Sequence, residues 1–243
     1  MKILKICISA LGITSLCSLY ISCSRETPLL ATTVSDFSNS ATVQVFSATV
    51  KSARNFVYVD GNPVSGTGVS FGGVFPGTAY SIKLPAGSHT FLIKDTLPTT
   101  TQPALTFTQA LNAGKSYTIF TYDTIPTIQQ VTVVNNIVVP TDTSSRLRFA
   151  NFVYNTTALP NVDVYSYRRG ATPIFTNVPT LGVTDFIPYA AGLSDTLYVY
   201  ATGTTSPLIV KQLVTSLTQT RSYTSVYSGS YKGTKAISTF ANY

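Results

Sequence analysis

Asn55-Phe56-Val57-Tyr58-Val59-Asp60-Gly61-Asn62-Pro63 is the stretch that decides the fold class. Phe56 to Val59 carry branched or aromatic side chains that suit a pleated, half-buried surface, and they stop at a turn signal. Gly61 and Asn62 tolerate positive φ and Pro63 cannot continue a central ladder, so the segment predicts a hairpin-type reversal. The same punctuation recurs outward from it. Pro85-Ala86-Gly87-Ser88 precedes Thr90-Phe-Leu-Ile-Lys94, and Gly72-Gly73 marks another bend or bulge. Short strands are predicted over 41–48, 56–59, 80–84, 90–94, 116–122 and 128–139, with a fresh one over 146–152. Composition agrees: 15 Tyr and 13 Phe, only 10% charged residues, and 15 Gly and 13 Pro spaced along the chain. The body reads as all-β.

The N-terminus carries a different signal. Lys2 and Lys5 precede an apolar stretch from Ile6 to Ile21, too short for a comfortable membrane-spanning helix, and it ends at Ser22-Cys23. Read as a lipoprotein signal peptide, 1–22 is removed and Cys23 becomes an acylated N-terminus carrying palmitate-type chains. Tyr20 departs from that pattern, standing where leucine is usual. Cys7 and Cys17 leave with the signal, so no disulfide framework forms. Each acyl chain adds about 0.8 kcal/mol per buried methylene, enough in combination for firm anchoring. Ser24, in place of an aspartate-type retention signal, favours the outer membrane. Residues 23–40, rich in Ser and Thr and containing Pro28, read as a flexible tether.

Landmarks repeat at a nearly constant offset. Asn55 aligns with Asn161, Leu84-Pro-Ala-Gly87 with Tyr189-Ala-Ala-Gly192, and Ser116-Tyr-Thr118 with Ser222-Tyr-Thr224, at offsets of 106, 105 and 106 residues. Between the copies, 141–145 is a polar stretch following Pro140 and reads as a linker. The expected organisation is two tandem immunoglobulin-like or transthyretin-like antiparallel β-sandwich domains, 41–140 and 146–243, after the N-terminal signal segment.

The segments Phe56-Val-Tyr-Val-Asp-Gly61, Leu84-Pro-Ala-Gly87 and Ala113-Gly-Lys-Ser-Tyr-Thr118 together resemble the domain-of-unknown-function family 4397. A looser second set is Val162-Asp-Val-Tyr165, Ala190-Ala-Gly192 and Thr220-Arg-Ser-Tyr-Thr224. The resemblance implies tandem β-sandwiches on an exported, often lipid-anchored protein of a Gram-negative bacterium, and it brings no catalytic residues to transfer.

The residues themselves offer little reaction chemistry. His89 is the only histidine, and its place between a turn and a strand suits a surface or strand-edge role; a nucleophilic triad would have to use it, and a typical zinc site needs a second histidine. Glu26 and eight aspartates are spread singly. Asp60-x-Asn62 reads as a side chain capping its own turn rather than a calcium loop. Loss of Lys2 and Lys5 takes the formal charge from +7 to +5, and the cations form no run able to grip a phosphate backbone, so nucleic acid is not a partner. No catalytic residue, metal ligand or cofactor is assigned.

The tyrosines are the better lead. Alternation in Leu197-Tyr198-Val199-Tyr200 and in Val162-Asp-Val-Tyr165-Ser-Tyr167 places Tyr198 with Tyr200, and Tyr165 with Tyr167, opposite the aliphatic residues. If the aliphatic side is core, the four form an exposed platform that can stack on sugar rings or receive a protein. The lack of Trp counts against a dedicated sugar-binding module. Thr96, Thr124 and Thr196 sit in Asp-Thr-Leu or Asp-Thr-Ile triplets that resemble a periplasmic O-glycosylation motif. The expected protein is a non-enzymatic, lipid-anchored envelope protein, held to the membrane through Cys23 and binding a surface glycan or another envelope protein. Two other classes stand beside it: a fibre subunit assembling by strand addition, for which 235–241 is a candidate strand although closing its own domain is its favoured role, and a carbohydrate-binding module.

Overall fold

The computed structural model describes residues 38–137, 139–214 and 217–242, and these lie within one compact unit. Cys23, the signal segment 1–22 and the tether up to residue 37 lie outside the described residues. In the first half the chain forms β1 (Ser40–Ser47), β2 (Asn55–Val59), β3 (Asn62–Pro63), β4 (Val74–Phe75), β5 (Ile82–Pro85), β6 (Gly87–Asp95), β7 (Leu105–Leu111), β8 (Ser116–Tyr122) and β9 (Gln129–Asn135). In the second it forms β10 (Ser145–Tyr154), β11 (Val162–Ser166), β12 (Phe175–Val178), β13 (Ile187–Tyr189), β14 (Asp195–Ala201), β15 (Pro207–Val214), β16 (Ser222–Ser230) and β17 (Lys235–Ala241).

The predicted reversal is present: Val59 pairs with Asn62 across Asp60 and Gly61, whose φ values of 50° and 81° make the two-residue turn that matches strand twist. β7 lies outside the predicted strands, although Leu105, Phe107, Gln109 and Leu111 alternate with Thr106, Thr108 and Ala110. β9 ends at Asn135, short of the expected Val139, and β10 already begins at Ser145, inside the stretch read as linker.

Each half is a sandwich of an outer and an inner sheet. The outer sheets run β3-β2-β6-β7 and β12-β11-β14-β15; the inner sheets run β4-β1-β8-β9, with β5 also on β1, and β13-β10-β16-β17. All pairings between these strands are antiparallel except β1 with β8 and β10 with β16, which are parallel at the centre of each inner sheet. Outer and inner sheets enclose one core per half, with Val43, Val57, Phe91 and Ile119 in the first and Phe149, Val164, Leu197 and Tyr227 in the second. A third core lies between the two inner sheets: Phe46, Ala48 and Phe120 from the first half meet Ala150, Phe152, Val226 and Phe240 from the second. Phe120 stacks on Phe152 at 4.5 Å and Phe46 on Phe240 at 5.3 Å. The inner strands are therefore covered on both faces, which is why β10 is buried without a break from Leu147 to Val153.

The contact between the halves also buries polar groups. Arg148, 2% exposed, donates from Nε to Thr224 Oγ1 at 2.8 Å and from Nη2 to Asn135 Oδ1, and its guanidinium lies 4.7 Å from the centre of the Phe186 ring. Burial lowers its pKa to about 9, against the Coulombic pull of Asp185, so the side chain keeps its charge near neutral pH. Gln44, 1% exposed, donates to the carbonyls of Tyr80 and Ala241, and its Oε1 accepts from Asn242 Nδ2 at 3.1 Å.

Candidate functional site

β11 and β14 build a tyrosine groove on the outer sheet of the second half. Their alternation is that of a half-buried strand: Val162, Val164, Leu197 and Val199 are at most 1% exposed in the core, and Tyr165, Tyr198 and Tyr200 point the other way. The antiparallel register sets Tyr165 directly opposite Tyr198. Tyr165 and Tyr200, diagonal neighbours, meet edge-on with ring centres 5.0 Å apart and planes at 74°, the arrangement in which a positive ring edge faces a negative ring face.

Tyr167 arrives differently. β11 ends at Ser166, and Tyr167 opens a 3₁₀ turn, Tyr167–Arg169, where it is 74% exposed. It therefore stands as a wall at the groove's end instead of extending the strand face with Tyr165, which corrects the alternation argument at that residue. Gly170, at φ +70°, ends the turn. With Thr204 and Thr205 on the far side, the four tyrosines enclose a groove of about 500 Å³ lined by no charged side chain.

The turn is fixed from below by Asp195, 4% exposed. Its carboxylate accepts from Ser166 Oγ and Tyr189 Oη on one oxygen, and from the backbone of Thr196 (2.7 Å) and Arg168 (3.2 Å) on the other. Burial pushes its pKa up, but the hydrogen bonds from Ser166, Tyr189 and the two backbone amides outweigh that and leave it lowered. Burial, and then the hydrogen bond to Asp195, raise the pKa of the Tyr189 hydroxyl. The paired arginines are turned to backbone: Arg168 Nε donates to Ser194 O at 2.6 Å and Arg169 Nη2 to Pro188 O at 2.7 Å. That leaves the groove neutral.

The other singled-out residues lie elsewhere. His89, 9% exposed, faces Asp60 Oδ2 with Nδ1 at 2.7 Å and the carbonyl of Pro85 with Nε2 at 2.8 Å. Asp60 thus receives His89 and the backbone N–H of Thr90 at the start of the next hairpin, and its carboxylate does not cap its own turn; Asn62 instead donates to the Asp60 carbonyl. Thr96 is exposed after β6, Thr124 is half-buried and bonded to Thr127, and Thr196 is half-buried within β14. Among the described residues no three His, Cys, Asp or Glu side chains gather as a metal site, and no helix is long and apolar enough to cross a membrane. What sequence reasoning missed here is Asp195, the support of the Tyr167 turn. Its only signal was an acid at the head of an aliphatic-tyrosine strand.

A family model described as "Domain of unknown function (DUF4397)" matches residues 41–165. It matches once and runs into β11, so the expected two copies of that family's domain are not found. None of the curated proteins matches the chain. Among solved structures, the Bacillus anthracis TIE protein is 14% identical with a TM-score of 0.24, over 79% of this chain and 33% of that one, so the chain spans about a third of that protein's length. CBMbc, a family CBM26 protein from Eubacterium rectale Amy13K in complex with maltoheptaose, is 14% identical with a TM-score of 0.28, over 82% of this chain and 95% of that one.

Proposed function

The chain belongs to the domain-of-unknown-function family 4397, and from that premise we propose a non-catalytic binding protein of the bacterial cell envelope, anchored through lipid on Cys23, with the tyrosine groove as its binding site. The observation that carries this reading is the convergence of Tyr165, Tyr167, Tyr198 and Tyr200 on one neutral groove. Its volume of about 500 Å³ falls within the range of small-molecule sites, roughly 300–1,000 Å³. Tyrosine rings offer apolar faces ringed by hydroxyls, which complement the C–H face and hydroxyl edge of a neutral sugar. A charged ligand finds no counter-ion among the lining side chains. The ligand is accordingly a neutral surface glycan.

Lys2, Lys5, the apolar segment 6–21 and Ser22-Cys23 support the anchor, and Ser24 supports the outer membrane as its address. The fibre reading meets one obstacle, because Lys235–Ala241 is paired along its length with β16 in its own sheet. Strand addition would have to use another edge, such as that of β7, a strand without charged residues.

A glycan array probed with the chain, beside Tyr165→Ala and Tyr200→Ala, tests the groove. The expected result is binding to neutral oligosaccharides that weakens at least tenfold in each variant; a wild-type chain that retains no glycan ends the reading. Mass spectrometry of the mature N-terminus tests the anchor separately, with acylated Cys23 expected and an intact Met1 contradicting it.

A further inference from the structure

A second cavity, of about 370 Å³, opens where the two halves meet. Tyr122 and Asp123 come from the end of β8, and Phe152, Tyr154, Leu159 and Leu181 come from the second half. Phe152, 1% exposed, forms the floor, and its ring lies 6.0 Å from that of Tyr122. Leu181 is 40% exposed at the rim. Asp123 is the one charged side chain in the lining. Its Oδ1 accepts from the Thr124 amide at 2.7 Å, whereas Oδ2 has only Gln129 Nε2, at 3.5 Å, and among the described residues it makes no ion pair. Three aromatic side chains and a carboxylate with capacity to spare therefore share one cavity.

The backbone singles out the same two residues. Asp123 and Leu181 both have left-handed backbone, with φ of 75° and 63°, a conformation that side chains other than Gly, Asn and Asp seldom adopt. The first and second halves correspond strand for strand here, and the matching positions hold glycine. Tyr117 matches Tyr223, which sets Asp123 against Gly229, at φ 108°. The amides of Gly72 and Leu181 each donate at 2.7 Å to the equivalent inner strand, at Ser47 and Asn151, whose own amides return to the next residue, Gly73 or Gly182, at 2.9 Å. The fold needs left-handed backbone at both places, and glycine meets the need at one junction. At the other, Asp123 and Leu181 take that backbone beside the cavity, and Leu181, unlike Asp123, is of a residue type seldom found there.

We propose that this junction cavity binds a quaternary ammonium cation. Aromatic faces attract a cation through the ring quadrupole, and Asp123 supplies the counter-charge. A primary ammonium or guanidinium brings three to five N–H donors that need acceptors; most of this lining is apolar, and its side-chain acceptors are the Asp123 carboxylate and neutral oxygens of Asn155, Thr157, Thr180 and the two tyrosines. A trimethylammonium group has no donor to satisfy. The cavity lies apart from the tyrosine groove, so the two sites are independent.

Calorimetric titration of the full chain with choline, beside its neutral carbon isostere 3,3-dimethylbutan-1-ol, is the test. Saturable choline binding is expected, at least tenfold tighter than the isostere. Asp123→Gly and Leu181→Gly copy the other junction; each should keep or raise the thermal midpoint and lower choline affinity at least tenfold, whereas Tyr165→Ala should leave it unchanged. Phosphatidylcholine vesicles form a further arm: capture of the chain by vesicles identifies a lipid headgroup as the source, and binding of free choline alone identifies a soluble one. Absence of saturable choline binding, equal binding of the isostere, or folded glycine variants that bind as the wild type does overturns the proposal.

Discussion

His89 shows how much a single residue's neighbours decide. Both of its ring nitrogens face acceptors, the Pro85 carbonyl and the Asp60 carboxylate, and only the imidazolium can donate to both. Burial pulls the His89 pKa down, but the hydrogen bonds to Asp60 and Pro85 and the Asp60 charge outweigh it and the net shift is upward. The Asp60 pKa is lowered, first by the hydrogen bond from His89 and then by the Thr90 amide. A raised histidine pKa gives stability that is fully present below about pH 6.5 and is lost as pH rises through the folded value. A lowered aspartate pKa gives stability that is present above about pH 4 and is lost as pH falls through the folded value. The thermal midpoint of the wild type should therefore exceed that of His89→Gln most at pH 5–6, with the gap narrowing on either side. A gap unchanged between pH 5 and 9 would falsify the imidazolium assignment. The sequence set His89 between turn and strand in a surface or strand-edge role, whereas it is the third residue of β6 and buried; nor was its partner legible, because Asp60 lies 29 residues away and meets it only through the pairing of β2 with β6.

At the scale of the element, the groove depends on the 3₁₀ turn that presents Tyr167. Asp195 ties that turn to β14 through Ser166 and the Arg168 amide, and it also satisfies Tyr189. Asp195→Ala strands several buried donors at once and should destabilise the protein by about 3 kcal/mol, at roughly 1–3 kcal/mol for each unsatisfied group. Urea denaturation measures the loss, and glycan affinity should fall with it because the Tyr167 wall loosens. A change below about 0.5 kcal/mol, the usual size for an ordinary surface site, contradicts the role assigned to Asp195. Alternation in β11 and β14 made the faces of Tyr165, Tyr198 and Tyr200 legible in the sequence, since a strand's period of two is local. Where β11 stops was not legible: a buried carboxylate from another strand ends it at Ser166. β7 carries the same local signal in Leu105-Thr-Phe-Thr-Gln-Ala-Leu111, and alternation alone could have found it.

For the whole molecule, the shared core between inner sheets makes the halves interdependent. Phe120→Ala removes a ring stacked on Phe152 of the other half and should cost about 3–5 kcal/mol, as large-to-small core changes do. Calorimetry should show one unfolding transition in the wild type, shifted as a whole in the variant; two transitions, only one of them moved, would show halves that unfold separately. The polar part of the interface follows the internal correspondence. Gln44, Thr118 and Asn135 in the first half match Arg148, Thr224 and Asn242 in the second, and the two sets interlock through Arg148 to Asn135 and Asn242 to Gln44. Strand periodicity and turn chemistry by themselves determined an all-β chain and the tyrosine faces, because those signals rest on neighbours a few residues apart. Only the tertiary structure decided that two inner sheets bury each other, that Arg148 lies between them without an ion pair among the described residues, and that a cavity opens at their junction. Those features depend on contacts between side chains that are remote along the chain, and local patterning carries no record of which distant surface will cover a strand's second face.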